Sequence, residues 1–297
     1  MLIGRTATLD RTAAKQVRPV SYRRRRILSA LGWAVFALCF VALAAALVDI
    51  LTLVVGRGAE SLNVTLFTTP TNGVSGGLLN AIEGTAVITF GSVLLAAPIG
   101  IGAGVYLSEY ASGWLSRVAR YLADVLVGVP SIVLGLFGYI VMVVYLGWHF
   151  SVLAGCITLA IMILPYITRT TELAMGSVSP ALRESAYALG ASDAAVILRV
   201  LLPACRRPVL TGVLVATALS MGETAPLIYT VGWSNYLWKG HLTHEPAAYL
   251  TYVIWSFINE PFASAHALAF AAALLVTVFA LLITVAARLL IPHRDEH

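Results

Sequence analysis

A chain of 297 residues that is 59% hydrophobic and only 11% charged falls far below the roughly 25% charge of a soluble domain, which excludes a water-soluble globular protein and points to a polytopic membrane protein. The net charge of +5 follows the pattern of membrane insertion and not that of a nucleic-acid-binding face. Cys39, Cys156 and Cys205 are odd in number and widely spaced; they form neither a disulfide framework nor a metal motif, and read as small packing residues.

Residues 1–26 form a basic tail ending in Arg23 to Arg26, a topology anchor that could also meet anionic lipid. Six segments are long and apolar enough to cross the hydrocarbon, which needs about 20 residues: 27–55, 78–107, 121–147, 150–176, 208–231 and 266–291. The first is too long for a signal-peptide core and is expected to be retained. The expected fold is all-α, with six transmembrane helices.

The basic residues set the orientation. Placing the N-terminus in the cytoplasm puts 17 of the 19 Lys and Arg inside and leaves only Arg57 and Lys239 outside. The inside set runs from Arg5, Arg11, Lys15 and Arg18 in the tail to Arg288 and Arg294 at the far end. This asymmetry predicts cytoplasmic termini and a cytoplasmic loop over 179–205.

Loop 56–77 is rich in Gly, Thr, Asn and Ser. The run Gly100-Ile101-Gly102-Ala103-Gly104 looks like a nucleotide-binding fingerprint, but it lies within a span; it reads as a close-packing face between helices. The outside loop 231–265 is too long to be structureless in a compact protein. Within it, 246–260 reads as a helix of about four turns, too short to span, with Tyr249, Tyr252, Trp255 and Phe257 suited to the outer interface. That surface would also face an extracytoplasmic partner. His241 and His244 stand three apart without further ligands, so no metal site is assigned.

The polar interruption between the fourth and fifth spans is the most informative stretch. Pro180 suits the first position of a helix with Ser179 as N-cap, and Gly190 suits its C′ position. Ser192 or Asp193 then caps a second short helix ended by Pro203. Residues 194–202 are almost wholly apolar yet too short to cross, so they must bury against the spans on one side and a partner on the other. A P-loop places a lysine after glycine to reach phosphates. Neither of the only two lysines, Lys15 and Lys239, follows a glycine-rich loop or precedes Ser or Thr, so ATP hydrolysis by that route is excluded for this chain.

Glu184, Ala186, Gly190, Leu202 and Pro203 stand at the spacing of the Glu-Ala-Ala loop of binding-protein-dependent ABC importer permeases, with Ser185 and Val200 as mild departures. The chain resembles that family. The resemblance implies a type I importer transmembrane domain over 78–291 and a coupling helix that docks on an ATPase through Glu184, Ser185, Ala186, Leu189 and Gly190, with Leu202 and Pro203 closing the loop. It implies no catalytic residue and no cofactor in this chain, with ATP and Mg bound by the partner ATPase. It implies two ATPase subunits, a second homologous permease subunit and an extracytoplasmic binding protein as partners.

Gly128-Val129-Pro130-Ser131-Ile132-Val133-Leu134-Gly135 and Gly222-Glu223-Thr224-Ala225-Pro226-Leu227 look like strings of phosphate importer permeases of the PstA type. Leu164-Pro165 through Arg169-Thr170-Thr171-Glu172 also fits. Pro130 and Pro226 are expected to break their helices and free backbone groups to line a cavity, although kinks used only for packing remain an alternative. Ser131 and Thr224 are suitable oxyanion donors, and Glu223 suits gating or ion pairing. Arg169 either joins the path or snorkels to the interface. Leu219 occupies a position where many relatives of this type carry arginine, which leaves the anion to hydroxyls, backbone or the paired subunit. The cargo implied is inorganic phosphate; another oxyanion such as sulfate or molybdate is the nearest alternative, and an ion-coupled secondary transporter a more distant one.

Overall fold

The computed structural model describes residues 22–110 and 113–289. Arg5, Arg11, Lys15, Arg18 and Arg294 of the basic-residue pattern lie outside the described residues. Two compact units are present, 1–52 and 53–297.

In the first unit, α1 (Tyr22–Glu60) begins well before the expected span. Its described side chains up to Thr52 are apolar and exposed around most of the circumference, as befits a helix solvated by lipid tails.

The second unit holds the remaining elements. The end of α1 packs Arg57 over the Phe270 ring at 5.2 Å. A one-turn helix, α2 (Val64–Thr68), and the hairpin β1 (Thr71–Asn72) and β2 (Ser75–Gly76) follow. Then come α3 (Leu79–Glu109) and α6 (Val152–Gly176), which form the most extensive helix pair of the unit. Their close approach comes from glycine: a Cβ on Gly100 would stand 2.9 Å from Ile167 Cβ, and one on Gly104 2.6 Å from the Thr168 carbonyl. The glycine run is thus a packing face, as its place in a span predicts. α12 (Ala263–Leu289) closes the bundle.

Four described helices are long and apolar enough to cross a membrane, or up to six with each of two bent pairs taken as one span. The third and fifth spans are interrupted near Pro130 and Pro226, where their prolines are expected to break them. Over 121–147 the chain forms α4 (Trp114–Gly128) and α5 (Ser131–Tyr145), bent by 100°, because Pro130 fixes an extended N-cap at ψ 135. Over 208–231, α9 (Arg206–Met221) ends at Gly222, and α10 (Ala225–Thr230) starts with Pro226 in its first turn. A proline there removes no helical hydrogen bond, so Pro226 starts a helix instead of kinking one. Between α6 and α9 lie α7 (Pro180–Ala188) and α8 (Asp193–Ala204), the latter turned by 69° from α9. The second helix therefore runs one residue past Pro203, which sits in its final turn.

The helix expected over 246–260 is present but shorter. α11 (Leu250–Phe257) has two turns; Leu250, Val253 and Phe257 are buried against α3 and α12, Tyr249 at its N-cap is buried against α3, α6 and α10, and Trp255 is exposed. Two features of α3 admit it. Gly84 has no Cβ to collide with the Ala248 carbonyl oxygen, and Thr85 Oγ1 accepts the Leu250 N–H at 2.9 Å. Burial of its apolar face decides its place, since those side chains are worth roughly 1.5–3 kcal/mol each when removed from water.

Candidate functional site

Two groups of residues stand out, at opposite ends of α3. The first is the knob formed by α7 and α8. Pro180 occupies the first turn of α7 with Ser179 at the N-cap, although no side-chain cap bond forms there. At its other end Gly190 takes φ +81. The Gly190 N–H donates to the Tyr187 carbonyl at 2.9 Å and the Ala191 N–H to the Ala186 carbonyl at 3.2 Å. This is a complete glycine-terminated helix end, and the left-handed backbone is why the sequence places glycine there.

One face of the knob is rooted. Ala186, Val196, Ile197 and Leu201 are buried with Ala174 and Met175 of α6 and with Cys205 and Val209, where burial pushes the Cys205 thiol up. Leu202 packs against the same cluster, while Pro203 is exposed. The other face is bare. Glu184 and Ser185 are exposed, and Leu189 is 89% exposed at the tip. The buried face of 194–202 was foreseen, because an apolar stretch that cannot span must bury on one side.

An ion pair also ties the knob to α3. Arg183 Nη2 donates to Glu109 Oε1 at 2.8 Å, with the Glu109 side chain 9% exposed. Nothing in the sequence reading pointed to Glu109; its partner lies 74 residues away, and a lone acidic residue at a helix end gives no signal of its own.

The second group gathers the two helix breaks. Ser131, the first residue of α5, stands beside the Glu223 side chain of the unwound Gly222–Thr224 segment. Four residues further along α5, a Cβ on Gly135 would stand 2.6 Å from Pro226 Cα, so α5 and α10 pack backbone to backbone. Thr251 of α11 donates to the Glu223 carbonyl at 2.8 Å. Pro130, Ser131, Glu223, Thr224 and Pro226 therefore form one neighbourhood, and α11 is an unforeseen third wall of it. The 3.6-residue periodicity of a membrane helix cannot show that a buried outside loop contributes such a wall. Leu219 is half exposed, one helical turn before the break.

Arg169 lies outside that neighbourhood's bonds. Its Nη1 donates to Glu172 Oε2 at 2.8 Å, and Arg120 Nε of α4 donates to Glu172 Oε1 at 2.7 Å. Arg120 Nη2 also reaches the Leu107 carbonyl at 3.0 Å. Arg169 is thus ion-paired at the end of the bundle that carries the knob. The Arg169–Glu172 spacing is legible as an i,i+3 pair, whereas the contribution of Arg120, 52 residues from Glu172, is not.

Among the described residues no group of three or more His, Cys, Asp or Glu is placed to hold a metal ion. His244 instead lies with its ring 5.1 Å from that of His149. The geometry supplies a knob with one rooted and one exposed face at one end, two broken helices that meet at Gly135 and Pro226, and a long helix between them. Such parts can move a solute and bind a soluble partner.

Comparisons with known proteins agree with that reading. The family described as binding-protein-dependent transport system inner membrane component matches residues 96–296. The chain is 42% identical over 273 residues to the phosphate transport system permease protein PstA 2 of Mycobacterium bovis, covering 92% of this chain and 90% of that one. It is 41% identical over 248 residues to the phosphate transport system permease protein PstA of Yersinia pestis, covering 82% and 83%. Among solved structures, the inward-facing MetNI methionine ABC transporter aligns with TM-score 0.61 at 20% identity, over 72% of this chain and 94% of that one, a likeness of fold.

Proposed function

The chain belongs to the family of binding-protein-dependent transport system inner membrane components, and from that premise we propose that it serves as a permease subunit of an ATP-driven importer of inorganic phosphate. Its relatives over nine-tenths of the chain are phosphate transport permeases, and they carry the cargo assignment. The observation that carries the mechanism is Leu189, an apolar side chain 89% exposed at the tip of a helix whose other face is rooted in the core. Leu182, Tyr187 and Leu198 of α7 and α8 are exposed as well, and apolar side chains gathered on one exposed surface mark a site that a partner covers.

In this reading the termini and the knob lie in the cytoplasm, where the basic residues concentrate. An ATPase subunit, holding ATP and Mg, seats on Glu184, Ser185, Leu189 and Gly190; Ala186, Leu202 and Pro203 fix the knob that receives it. The complex contains two such ATPases, a second homologous permease and an extracytoplasmic phosphate-binding protein. ATPase closure displaces α7 and α8, and the bundle alternates between outward and inward access. This chain carries out no covalent step.

The path runs by the two breaks. Chain ends of short helices offer N–H groups, and Ser131 and Thr224 offer hydroxyls, as donors to phosphate oxygens. Glu223 would repel a bare oxyanion, and it stands beside Ser131, so in this reading it acts as a gate: a Ser131 hydroxyl taken up by the carboxylate is withheld from the anion. Arg169, paired with Glu172, supplies positive charge at the cytoplasmic end of the path.

Reconstitution tests this function. The chain, its paired permease and the ATPase are placed in liposomes loaded with ATP, with the phosphate-binding protein outside. Radiolabelled phosphate should enter only with ATP, and excess sulfate or molybdate should not compete. Competition by either oxyanion would overturn the phosphate assignment; uptake that needs a proton gradient and no ATP would overturn the ATP-driven mechanism.

A further inference from the structure

Two kinds of contact join the knob to the membrane bundle, and they differ in what they can transmit. The apolar seat of Ala186, Val196 and Leu201 is non-directional: its energy depends on area removed from water, so it resists separation more than sliding. The Arg183–Glu109 pair is directional, and it joins the side of α7 to the last residue of α3.

We propose that Glu109 and Arg183 form a strut through which displacement of α7 is passed to α3 and along it to the Glu223 break; the proposal rests on the permease reading above. Three observations support it. First, Glu109 is nearly buried, and its Oε1 also accepts from Ser108 Oγ at 3.0 Å. Pulling the guanidinium away would leave a buried carboxylate uncompensated, which is strongly unfavourable, so Glu109 follows Arg183 when α7 moves.

Second, the pair uses one arm of the guanidinium. Nη2 contacts Glu109, while Nε is buried without a partner. Arginine can present Nε and Nη2 side by side to one carboxylate, and the two-bond form is the stronger. A small displacement of α7 can therefore convert a one-bond pair to a two-bond pair. The free Nε thus leaves the pair a second, two-bond arrangement to move into, and two discrete arrangements are what a coupling element requires.

Third, α3 leads somewhere. Its 31 residues form one continuous helix with Pro98 inside it, about 46 Å in contour at 1.5 Å per residue, and α6 braces the stretch around that proline through Ala96, Gly100 and Ile167. At the far end Thr85 Oγ1 holds the Leu250 N–H and Gly84 lies under the Ala248 carbonyl. α11, placed by those contacts, donates through Thr251 to the Glu223 carbonyl. Displacement at Arg183 thus reaches the Glu223 break through one helix and two hydrogen bonds.

The test uses the complete reconstituted transporter and reads phosphate imported per ATP hydrolysed, alongside ATPase retained on the purified permease. Glu109→Gln and Arg183→Gln should each keep the ATPase bound and lower the import ratio about tenfold, within the span seen for coupling elements. The exchange Glu109→Arg with Arg183→Glu should restore much of it. Wild-type ratios in both single variants, or a loss of import only in proportion to lost ATPase, would overturn the strut, as would failure of the exchange to restore import. If a neutral variant does not insert, Arg183→Lys replaces it. Lysine keeps the charge but lacks the fork, so a lowered ratio supports the strut and an unchanged one overturns it. Absence of ATP-dependent phosphate import by the wild-type complex would instead remove the permease reading itself.

Discussion

Gly135 and Pro226 meet backbone to backbone: the space a Cβ on Gly135 would need lies 2.6 Å from Pro226 Cα. Through this contact the second halves of two broken helices act as one body, with Ser131 and Glu223 beside them. The glycine is required here by close approach and not by its dihedral angles.

Gly135→Val should therefore destabilise the protein by about 1–3 kcal/mol, the usual cost of overpacking a fitted contact. Thermal unfolding of the detergent-solubilised protein measures it. Gly102→Val is the control, since nothing lies within 4 Å of a Cβ built there, and it should leave the transition in place.

Gly190 obeys a different constraint. It has open space around it but sits at φ +81, so the penalty falls on backbone conformation, about 1–2 kcal/mol for an ordinary L-residue. Asparagine tolerates that region and β-branched residues do not. Gly190→Asn should retain most phosphate uptake, whereas Gly190→Val should uncouple ATP hydrolysis from uptake while membrane insertion stays normal. Equal uptake by the two variants would count against the coupling role.

Leu189 should be the most protectable position of the knob. A Leu189→Cys variant is expected to react rapidly with a maleimide in membranes stripped of the ATPase and slowly once the ATPase is added back. Cys205, buried and with its thiol pushed above the ordinary range, should react slowly in both conditions, because the thiolate is the reacting form. Mass spectrometry of labelled peptides reads both sites. No protection at position 189 would place the ATPase elsewhere.

Glu223→Gln preserves shape and removes the charge. If Glu223 gates the path, phosphate uptake in vesicles should fall by at least about tenfold, equivalent to ~1.4 kcal/mol, with ATPase binding unchanged. Ser131→Ala should lower uptake less, because it removes an anion donor and frees the gate together. Unaltered uptake by Glu223→Gln would remove Glu223 from the transport path.

The knob was legible in the sequence because its signals are local. Proline at a helix start, glycine in a left-handed turn and an apolar stretch too short to span all act within a few residues of themselves. The helix breaks at Pro130 and near Pro226 were legible for the same reason, but their geometry was not. Whether a proline kinks a helix or begins a new one depends on the neighbours that take up the freed backbone groups, and here Gly222 ends α9 before Pro226 is reached.

The amino-acid sequence alone determined the class, the expected insertion pattern and the docking loop, since hydropathy, charge and turn chemistry need no partner to be read. Tertiary structure decided that α11 is drawn inward onto Gly84 and Thr85, that Ser131 faces Glu223, and that Glu109 holds Arg183. Each of these joins residues from separate elements. Such contacts form only where burial outweighs the conformational freedom lost in bringing distant segments together, and no periodicity along a single segment records that outcome.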